Sequence, residues 1–260
     1  MRVALINPPL GSNVYHFFPI GLAYIAGALK REGIEYVFFD ARLEGWTADR
    51  LVEAMAEEGH FDCFAVGGLI SSFVKSREIC RAIRGAHPGT PIVLGGKLSK
   101  TPVDILFTAT GADYVIDGEG EEGFPMLLRR LAGEAVALDA IPGLIYRDAN
   151  GTIVSNPPQQ VADINQYRIP YADFPMERYV SRDALQSNGL RSLNMISSRG
   201  CPFECTFCNF SDGVSGRPLR TVAVEHIEED VVYLKEHFGL EHVFFNDDVF
   251  AMNTPRLQEM

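Results

Sequence analysis

Five short apolar segments alternate with amphipathic stretches in the first half of the chain, and this alternation constrains the fold more than any other feature. Residues typical of turns follow each segment, and the segments cover residues 3–6, 36–39, 63–66, 92–94 and 114–116. Such an alternation is typical of repeated βα units on a parallel sheet. The sequence therefore predicts an α/β fold with an open, doubly wound, five-stranded Rossmann-like sheet over residues 1–135.

The helices between these strands carry their own boundary signals. Pro19 can begin the first helix and Gly33 can end it. Thr47 is a suitable N-cap for a second helix that extends to Glu58. These signals predict one helix after each of the first two strands, as a βα repeat requires.

Glycines and small hydroxyl residues gather where the predicted strands end. A glycine pair at 67–68 precedes Ser71 and Ser72, a second pair at 95–96 precedes Ser99, and the acidic segment 117–121 follows the fifth strand. Because the carboxyl ends of parallel strands share one edge, this composition predicts a site for a bulky polar ligand. The alternative is that these glycines are ordinary βα turns. No GxGxxG segment follows the first strand, so a dinucleotide is not favoured.

Three of the 5 cysteines, Cys201, Cys205 and Cys208, form one motif with the spacing CxxxCxxC. An iron–sulfur cube has four irons, so three protein thiolates leave one iron free to bind another ligand. A zinc site would need a fourth ligand, and the next histidine, His226, is eighteen residues further on in a predicted helix. The odd number of cysteines and their close spacing argue against disulfides. The motif therefore favours an iron–sulfur cluster.

This motif resembles that of the radical S-adenosylmethionine (SAM) enzymes, CxxxCxΦC, in which Phe207 fills the aromatic position. The resemblance implies that Cys201, Cys205 and Cys208 bind a [4Fe-4S] cluster and that Phe207 lies along the adenine of SAM. In that family the free iron is chelated by SAM, and reductive cleavage of SAM gives a 5′-deoxyadenosyl radical. The resemblance also implies a small-molecule substrate and an electron donor such as flavodoxin or ferredoxin.

The first half of the chain resembles the cobalamin-binding domain that precedes the radical SAM domain in one large subgroup of these enzymes. The segments 7–9, 19–22, 95–96 and 118–121 carry this resemblance and occur in the order of the family. It implies cobalamin contacts at Pro9, Gly67, Ser71, Ser72, Gly95, Gly96, Ser99, Glu119, Gly120 and Glu121.

Two departures from the cobalamin pattern matter. The chain has no DxHxxG motif, which is usual for the radical SAM subgroup and leaves the lower face of the cobalt open or bound to water. Lys97 and Leu98 stand where many relatives carry a histidine. These two residues keep open the alternative of a front domain that does not bind cobalamin.

A connector is predicted over residues 136–190. It begins with a β-hairpin around the Asn-Gly turn of residues 150–151 and continues with a proline-bearing segment. Its length suggests that it wraps around or crosses between domains.

Residues 191–260 resemble the N-terminal part of a radical SAM (β/α) barrel. Strands are predicted at 191–196 and 242–245, with a helix at 221–238 between them. Asn246 and Asp247 follow the second strand, where side chains point into the site of such a barrel, so they are expected to contact SAM or to order the pocket. The alternative for the carboxylate is an N-cap or a loop acid.

The overall composition limits the partners. Formal charge is −11, from 23 basic and 34 acidic residues, which disfavours nucleic acid as a partner. No apolar run is long enough to span a bilayer, so no membrane partner is expected. Unpaired thiols and an oxygen-sensitive cluster predict a cytoplasmic location.

The leading functional hypothesis is a cobalamin-dependent radical SAM enzyme that transfers a methyl group to an unactivated carbon. The barrel of this family needs several more βα units, so the sequence is expected to be the front part of a longer enzyme. Two alternatives remain. One is a radical SAM cyclase or rearrangement enzyme whose front domain does not bind cobalamin. The other is a non-catalytic module that carries a corrinoid or electrons.

Overall fold

The computed structural model describes residues 1–10, 17–182, 188–203, 205–206, 208 and 218–260. These residues form two compact units, each built from segments that are distant in sequence. The sheet unit consists of the described residues within 1–14, 21–161 and 167–174. The cysteine unit consists of those within 15–20, 162–166 and 175–260.

The sheet unit is a layered α/β structure. Its strands are β1 Arg2–Asn7, β2 Glu35–Asp40, β3 Cys63–Gly68, β4 Ile92–Gly96, β5 Tyr114–Ile116, β6 Leu144–Arg147 and β7 Ile153–Ser155. Its α-helices are α1 Ile20–Arg31, α2 Ala41–Glu44, α3 Ala48–Glu58, α4 Phe73–Ala86, α5 Val103–Thr110 and α6 Gly120–Leu131.

The described strands of this unit form one sheet in the order β2-β1-β3-β4-β5-β6-β7. The first five are parallel, and their order is that of doubly wound sheets with a switch point between β1 and β3. This confirms the predicted fold class. The hairpin β6–β7 was expected to be part of the connector, but it extends the sheet, because β6 pairs antiparallel with β5.

Helices cover both faces of the central strands. Val3, Ala4, Leu5 and Ile6 are consecutive in β1 and are all fully buried. Continuous burial of neighbouring residues, instead of alternation, is expected of parallel strands that are covered on both faces. This packing leaves the strand ends as the part of the sheet that can receive a ligand.

The boundaries predicted for the first two helices agree with the structure. The hydroxyl of Thr47 accepts a hydrogen bond of 3.2 Å from the Arg50 N–H, which satisfies a free donor in the first turn of α3. α1 begins at Ile20, directly after Pro19, and is followed by Gly33 with a positive φ of 67°. Local signals were therefore sufficient for these two helices.

The cysteine unit contains α7 Met176–Tyr179, β8 Ser192–Met195, β9 Ser198–Arg199, β10 Arg220–Thr221, α8 Val224–Phe238, β11 His242–Phe245 and α9 Thr254–Glu259. β8 and β11 pair in parallel, as expected for a strand–helix–strand unit. The helix predicted over 221–238 begins later, at Val224, because Thr221 pairs with Ser198 in the β9–β10 ladder. None of the helices in the described part of the chain is long and apolar enough to cross a membrane.

Candidate functional site

The carboxyl ends of β3 and β4 form a glycine edge in which backbone lies against backbone. Gly67 is in register with Gly95, and Gly68 with Gly96. Gly96 has a φ of 69°, and a Cβ there would lie 2.8 Å from the Gly68 carbonyl oxygen. A Cβ on Gly95 would meet no atom within 4 Å. A Cβ would also come within 3.0 Å of a neighbouring side chain at Gly67 and at Gly68, so Gly95 is the position of these four with open space beside it.

The serines expected to contact cobalamin differ in their burial. Ser72 is fully buried, and its hydroxyl donates to the Leu69 carbonyl oxygen at 2.7 Å. Ser99 is buried as well, and its hydroxyl contacts the Gly96 carbonyl oxygen at 2.9 Å. Both side chains thus hold the turns after β3 and β4 in place. Ser71 is exposed and is the hydroxyl of this set that faces solvent.

Asp117 connects the ends of β4 and β5, and sequence reasoning did not select it as a site residue. Its Oδ1 accepts the Ser99 hydroxyl at 2.7 Å and lies 2.9 Å from the Lys100 Nζ. Its N–H also donates to the Gly143 carbonyl oxygen at 2.8 Å. The only sequence signal was its position at the end of a predicted strand.

Most of the residues expected to bind cobalamin after β5 make contacts within the sheet unit. The Glu119 carboxylate accepts a hydrogen bond of 2.7 Å from the Val161 N–H, so it fixes a later segment of the same unit. Glu121 is buried. Gly120 lies at the start of α6, where a Cβ would come within 2.9 Å of the Ile25 side chain. Pro9, after β1, is half-buried.

A buried carboxyl group lies at the end of β2. The Asp40 carboxylate accepts hydrogen bonds from the Asn7 Nδ2 at 2.9 Å and from the Leu43 N–H at 2.8 Å. Burial raises the pKa of Asp40 above its ordinary value, while the two hydrogen bonds act in the opposite direction. The side chain links β1 to β2 and caps α2.

The three motif cysteines lie after β9 and are accessible. Cys205 is exposed, whereas Cys201 and Cys208 are half-buried, and none of the three is part of a disulfide. The Cys208 N–H donates to the Cys205 carbonyl oxygen at 3.0 Å. In the part of the chain that the structure describes, no group of three or more Cys, His, Asp or Glu side chains is arranged to hold a metal ion, the motif cysteines included. Phe207 lies outside the described residues.

The other two cysteines differ in their environment. Cys63 and Cys80 are buried in the sheet unit. Burial raises the pKa of both thiols, that of Cys80 to about 12. Iron is bound by thiolates, so accessible thiols suit an iron–sulfur cluster and buried thiols do not. The donor set of Cys201, Cys205 and Cys208 therefore fits the cluster that their spacing predicts.

Asp247 and Asn246 follow β11. Asp247 accepts hydrogen bonds from the Ser197 N–H at 2.6 Å, the Ser197 hydroxyl at 2.5 Å and the Ser198 hydroxyl at 2.7 Å. These bonds order the chain just before the cysteines. Asn246 is exposed, and its N–H donates to the Met195 carbonyl oxygen at 2.7 Å. Contact of either side chain with SAM stays a prediction.

Comparison with known families agrees with the cobalamin-type sheet predicted for the first half of the chain. Residues 9–128 match the B12-binding domain family. The chain is therefore similar to radical SAM proteins that carry an N-terminal domain of that family.

Similar curated proteins extend the comparison beyond the sheet unit. An uncharacterized methyltransferase of Pyrococcus horikoshii, PH0819, is 28% identical over 98% of this chain and 55% of its own length. The anaerobic magnesium-protoporphyrin IX monomethyl ester cyclase of Synechocystis is 26% identical over 100% of this chain and 52% of its own length. The chain spans about half the length of these relatives.

Solved structures share the fold. The cobalamin-dependent SAM radical enzyme OxsB, with aqua-cobalamin and SAM bound, matches with a TM-score of 0.80 and 20% identity, over 98% of this chain and 35% of that one. The radical SAM methyltransferase TsrM of Kitasatospora setae, with cobalamin and a [4Fe-4S] cluster bound, matches with a TM-score of 0.72 and 20% identity, over 99% of this chain and 49% of that one.

Proposed function

We propose that this chain belongs to a cobalamin-dependent radical SAM methyltransferase that modifies an unactivated carbon of a small molecule. The observation that carries the proposal is the presence of two cofactor-type sites on one chain. A sheet of the B12-binding type has a glycine edge with open space at Gly95, and a three-thiol motif follows β8, the first strand of the parallel pair β8–β11. Similarity to a radical SAM methyltransferase whose structure contains cobalamin and a [4Fe-4S] cluster supports the same conclusion.

The sheet unit would bind cobalamin at its glycine edge. Gly95 leaves open space above the strand, and Gly96 keeps the chain in a conformation that other residues rarely adopt. A flat macrocycle could therefore approach the backbone closely. The exposed hydroxyl of Ser71 can hydrogen-bond to its polar periphery, whereas Ser72, Ser99 and Asp117 hold the turns.

The cysteine unit would hold the cluster and SAM. Cys201, Cys205 and Cys208, as thiolates, provide three ligands and leave one iron for the amino and carboxylate groups of SAM. When bound, the cluster and SAM supply a radical that removes a hydrogen atom, and the cobalamin supplies the methyl group. The task of the protein is to hold these groups in position and exclude water.

Anaerobic reconstitution tests the radical chemistry. The full-length protein is incubated with iron, sulfide, a reductant and SAM, and 5′-deoxyadenosine is measured by chromatography. We expect formation of a cluster and cleavage of SAM. A cluster that forms without any cleavage of SAM would contradict the proposal and support a non-catalytic, electron-carrying module.

A second candidate function is a radical cyclase or rearrangement enzyme without cobalamin. Lys97 and Leu98 occupy the turn at which the cobalamin pattern has a histidine, so this chain offers no imidazole there. Leu98 is fully buried and Lys97 is half-buried. Similarity to the Synechocystis cyclase also favours this candidate. Hydroxocobalamin is added to the full-length protein, which is then desalted. A retained corrinoid spectrum supports the first function, and its loss supports the second.

The proposal includes partners and location. Reduction of the cluster requires a low-potential electron donor, for which flavodoxin or ferredoxin is the natural class. Accessible thiols and an oxygen-sensitive cluster suit a reducing compartment, so we place the protein in the cytoplasm, without nucleic-acid or membrane partners.

A further inference from the structure

The two ends of the segment that carries the cysteines lie beside each other, and we call this paired region the neck. Ser197 and Ser198 form the entering side of this neck, and Thr221 and Val222 form the leaving side. Thr221 and Ser198 pair in the β9–β10 ladder, and the Val222 N–H donates to the Ser197 carbonyl oxygen at 2.8 Å. Backbone hydrogen bonds therefore bring together the two ends of the cysteine-bearing segment.

Asp247 holds the entering side of the neck. Its two carboxylate oxygens accept three hydrogen bonds of 2.5–2.7 Å from the Ser197 N–H, the Ser197 hydroxyl and the Ser198 hydroxyl. Hydrogen bonds to an ionised carboxylate are stronger than those between neutral groups. Because Asp247 follows β11, these bonds attach the neck to the strand pair β8–β11.

Arg256 holds both sides of the neck at once. Its Nη2 donates to the Ser197 carbonyl oxygen and to the Val222 carbonyl oxygen, each at 2.9 Å, and its Nη1 lies 3.2 Å from the Ser197 hydroxyl oxygen. The residue is 9% exposed. It lies in the first turn of α9, where the Asn253 side chain accepts a hydrogen bond from the Arg256 N–H. A buried guanidinium therefore bridges the entrance and the exit.

The Ser197 hydroxyl joins the two charged groups. Arginine only donates hydrogen bonds and an ionised carboxylate only accepts them, so the hydroxyl must accept from Arg256 and donate to Asp247. The hydroxyl thus has a single orientation, and both charges are satisfied by the neck. This network links α9, β11 and the start of the cysteine motif.

We propose that Asp247 and Arg256 are positioning residues that close the neck and thereby present Cys201, Cys205 and Cys208 to the cluster. This inference rests on the proposed function, because it concerns the site of the proposed cluster. Neither residue is assigned a bond to iron or a step in the reaction. Their effect is to limit the arrangements of three accessible thiols, which lowers the entropy lost when the cluster binds.

Two variants test the proposal in the full-length protein. Arg256→Met removes the bridge between the two sides, and Asp247→Asn removes the charge from the entering side. In the cluster-free protein, we expect amide hydrogen exchange in peptides that contain Ser197 and Val222 to become about tenfold faster. After reconstitution without SAM, we expect the cluster to be lost to an iron chelator about tenfold faster, because groups that orient ligands affect metal affinity by this amount or more.

Arg191→Met and Glu241→Gln are matched controls at the opposite end of the same strands. The Arg191 guanidinium donates to the Phe238 carbonyl oxygen at 2.8 Å and 3.1 Å, and Glu241 accepts from the Arg191 N–H at 2.8 Å. These variants also remove a charged hydrogen bond from the unit but do not touch the neck. We expect them to keep the wild-type rate of cluster loss.

Ser197→Ala is used if Arg256→Met or Asp247→Asn fails to fold, since it keeps both charges and removes only the hydroxyl between them. It should give a smaller increase in cluster loss in the same direction. Wild-type cluster retention in all three neck variants, or equal cluster loss in the controls, would overturn the proposal. If the wild-type protein forms no cluster, the proposed function fails. Hydrogen exchange in the cluster-free protein still shows whether Asp247 and Arg256 hold the neck closed.

Discussion

The glycine edge of the sheet unit and the cysteine motif of the cysteine unit both follow parallel strands, but they are built in opposite ways. At the glycine edge, backbone packs against backbone, and the position of Gly96 leaves no room for a side chain. At the cysteine motif, the chemistry resides in accessible side chains, and hydrogen bonds from Asp247 and Arg256 hold the neck before and after them. Under the proposed function, the first site rests on backbone packing, whereas the second rests on thiol side chains.

This difference predicts different consequences of mutation. A change at the glycine edge should alter stability and ligand binding together, since the same backbone serves both. A change at an exposed cysteine should remove the ligand without affecting the fold. The following substitutions test this separation, from the largest expected effect to the smallest.

Cys205→Ala should abolish the cluster and leave the fold intact. Cys205 is exposed and its thiol is free, so its removal leaves no buried cavity. We expect loss of the cluster absorbance and of bound iron after reconstitution. The free energy of urea unfolding of the cluster-free protein should change by less than about 0.5 kcal/mol. Cys80→Ala, at a buried position in the sheet unit, should do the reverse and keep the cluster while lowering stability. Cluster formation in Cys205→Ala would refute the ligand assignment.

Gly96→Ala should destabilise the sheet unit, and Gly95→Ala should not. At Gly96 the Cβ would lie 2.8 Å from a backbone oxygen and φ is 69°. We expect a loss of at least about 2 kcal/mol in the free energy of urea unfolding. At Gly95 the Cβ enters open space, so stability should stay within about 0.5 kcal/mol of wild type.

The Gly95→Ala protein then tests corrinoid binding separately from folding stability. If the macrocycle lies against this edge, the added methyl group should weaken retention of hydroxocobalamin by a folded protein, which a titration followed by absorbance measures. Unchanged corrinoid affinity in Gly95→Ala would show that the ligand lies elsewhere, or that the front domain binds none.

The same contrast explains how much of the molecule could be predicted from its sequence. Thr47 and Pro19 were sufficient to place helix starts, because capping depends on residues within one turn. The cysteine spacing indicated a cluster for the same local reason. Arg256 gave no signal, because it contacts Ser197 and Val222, which are far away in sequence.

The hairpin β6–β7 shows the same limit. Its turn could be predicted from Asn150 and Gly151. Its place in the sheet depends on pairing between β6 and β5, which no local pattern specifies. Asp117 is a further case, since its role became visible only when folding brought Ser99 and Lys100 to it.

Asp117→Asn should weaken the turns at the glycine edge moderately. The substitution keeps an acceptor for the Ser99 hydroxyl but removes the charge that attracts Lys100. We expect a loss of about 1 kcal/mol in the free energy of urea unfolding, because the pair is only partly exposed. Glu78→Gln, which breaks the surface pair with Lys75, is the matched control and should cost less. An equal loss in both variants would mean that the Asp117 contacts contribute no more than a surface ion pair.

Asp40→Asn should produce the smallest effect, visible as a dependence on pH. Because burial raises the pKa of Asp40 in the folded state, the folded protein binds this proton more tightly than the unfolded chain does. Stability is therefore lost as the pH rises from near the ordinary value of 3.8 through the raised pKa. Asparagine stays neutral and can accept the hydrogen bond of the Leu43 N–H, so the variant escapes this loss.

Urea unfolding from pH 4 to pH 8 measures this effect, with the exposed Asp139→Asn as a control for the substitution itself. The difference in unfolding free energy between Asp40→Asn and wild type should shift in favour of the variant as the pH rises, and then become constant above the raised pKa. A difference that stays constant over the whole range would show that the hydrogen bonds from Asn7 and Leu43 offset the burial of the carboxylate. The end of β2 would then tolerate a charge, and the sheet unit, like the neck of the cysteine unit, would use a hydrogen-bonded carboxylate to hold the chain in place.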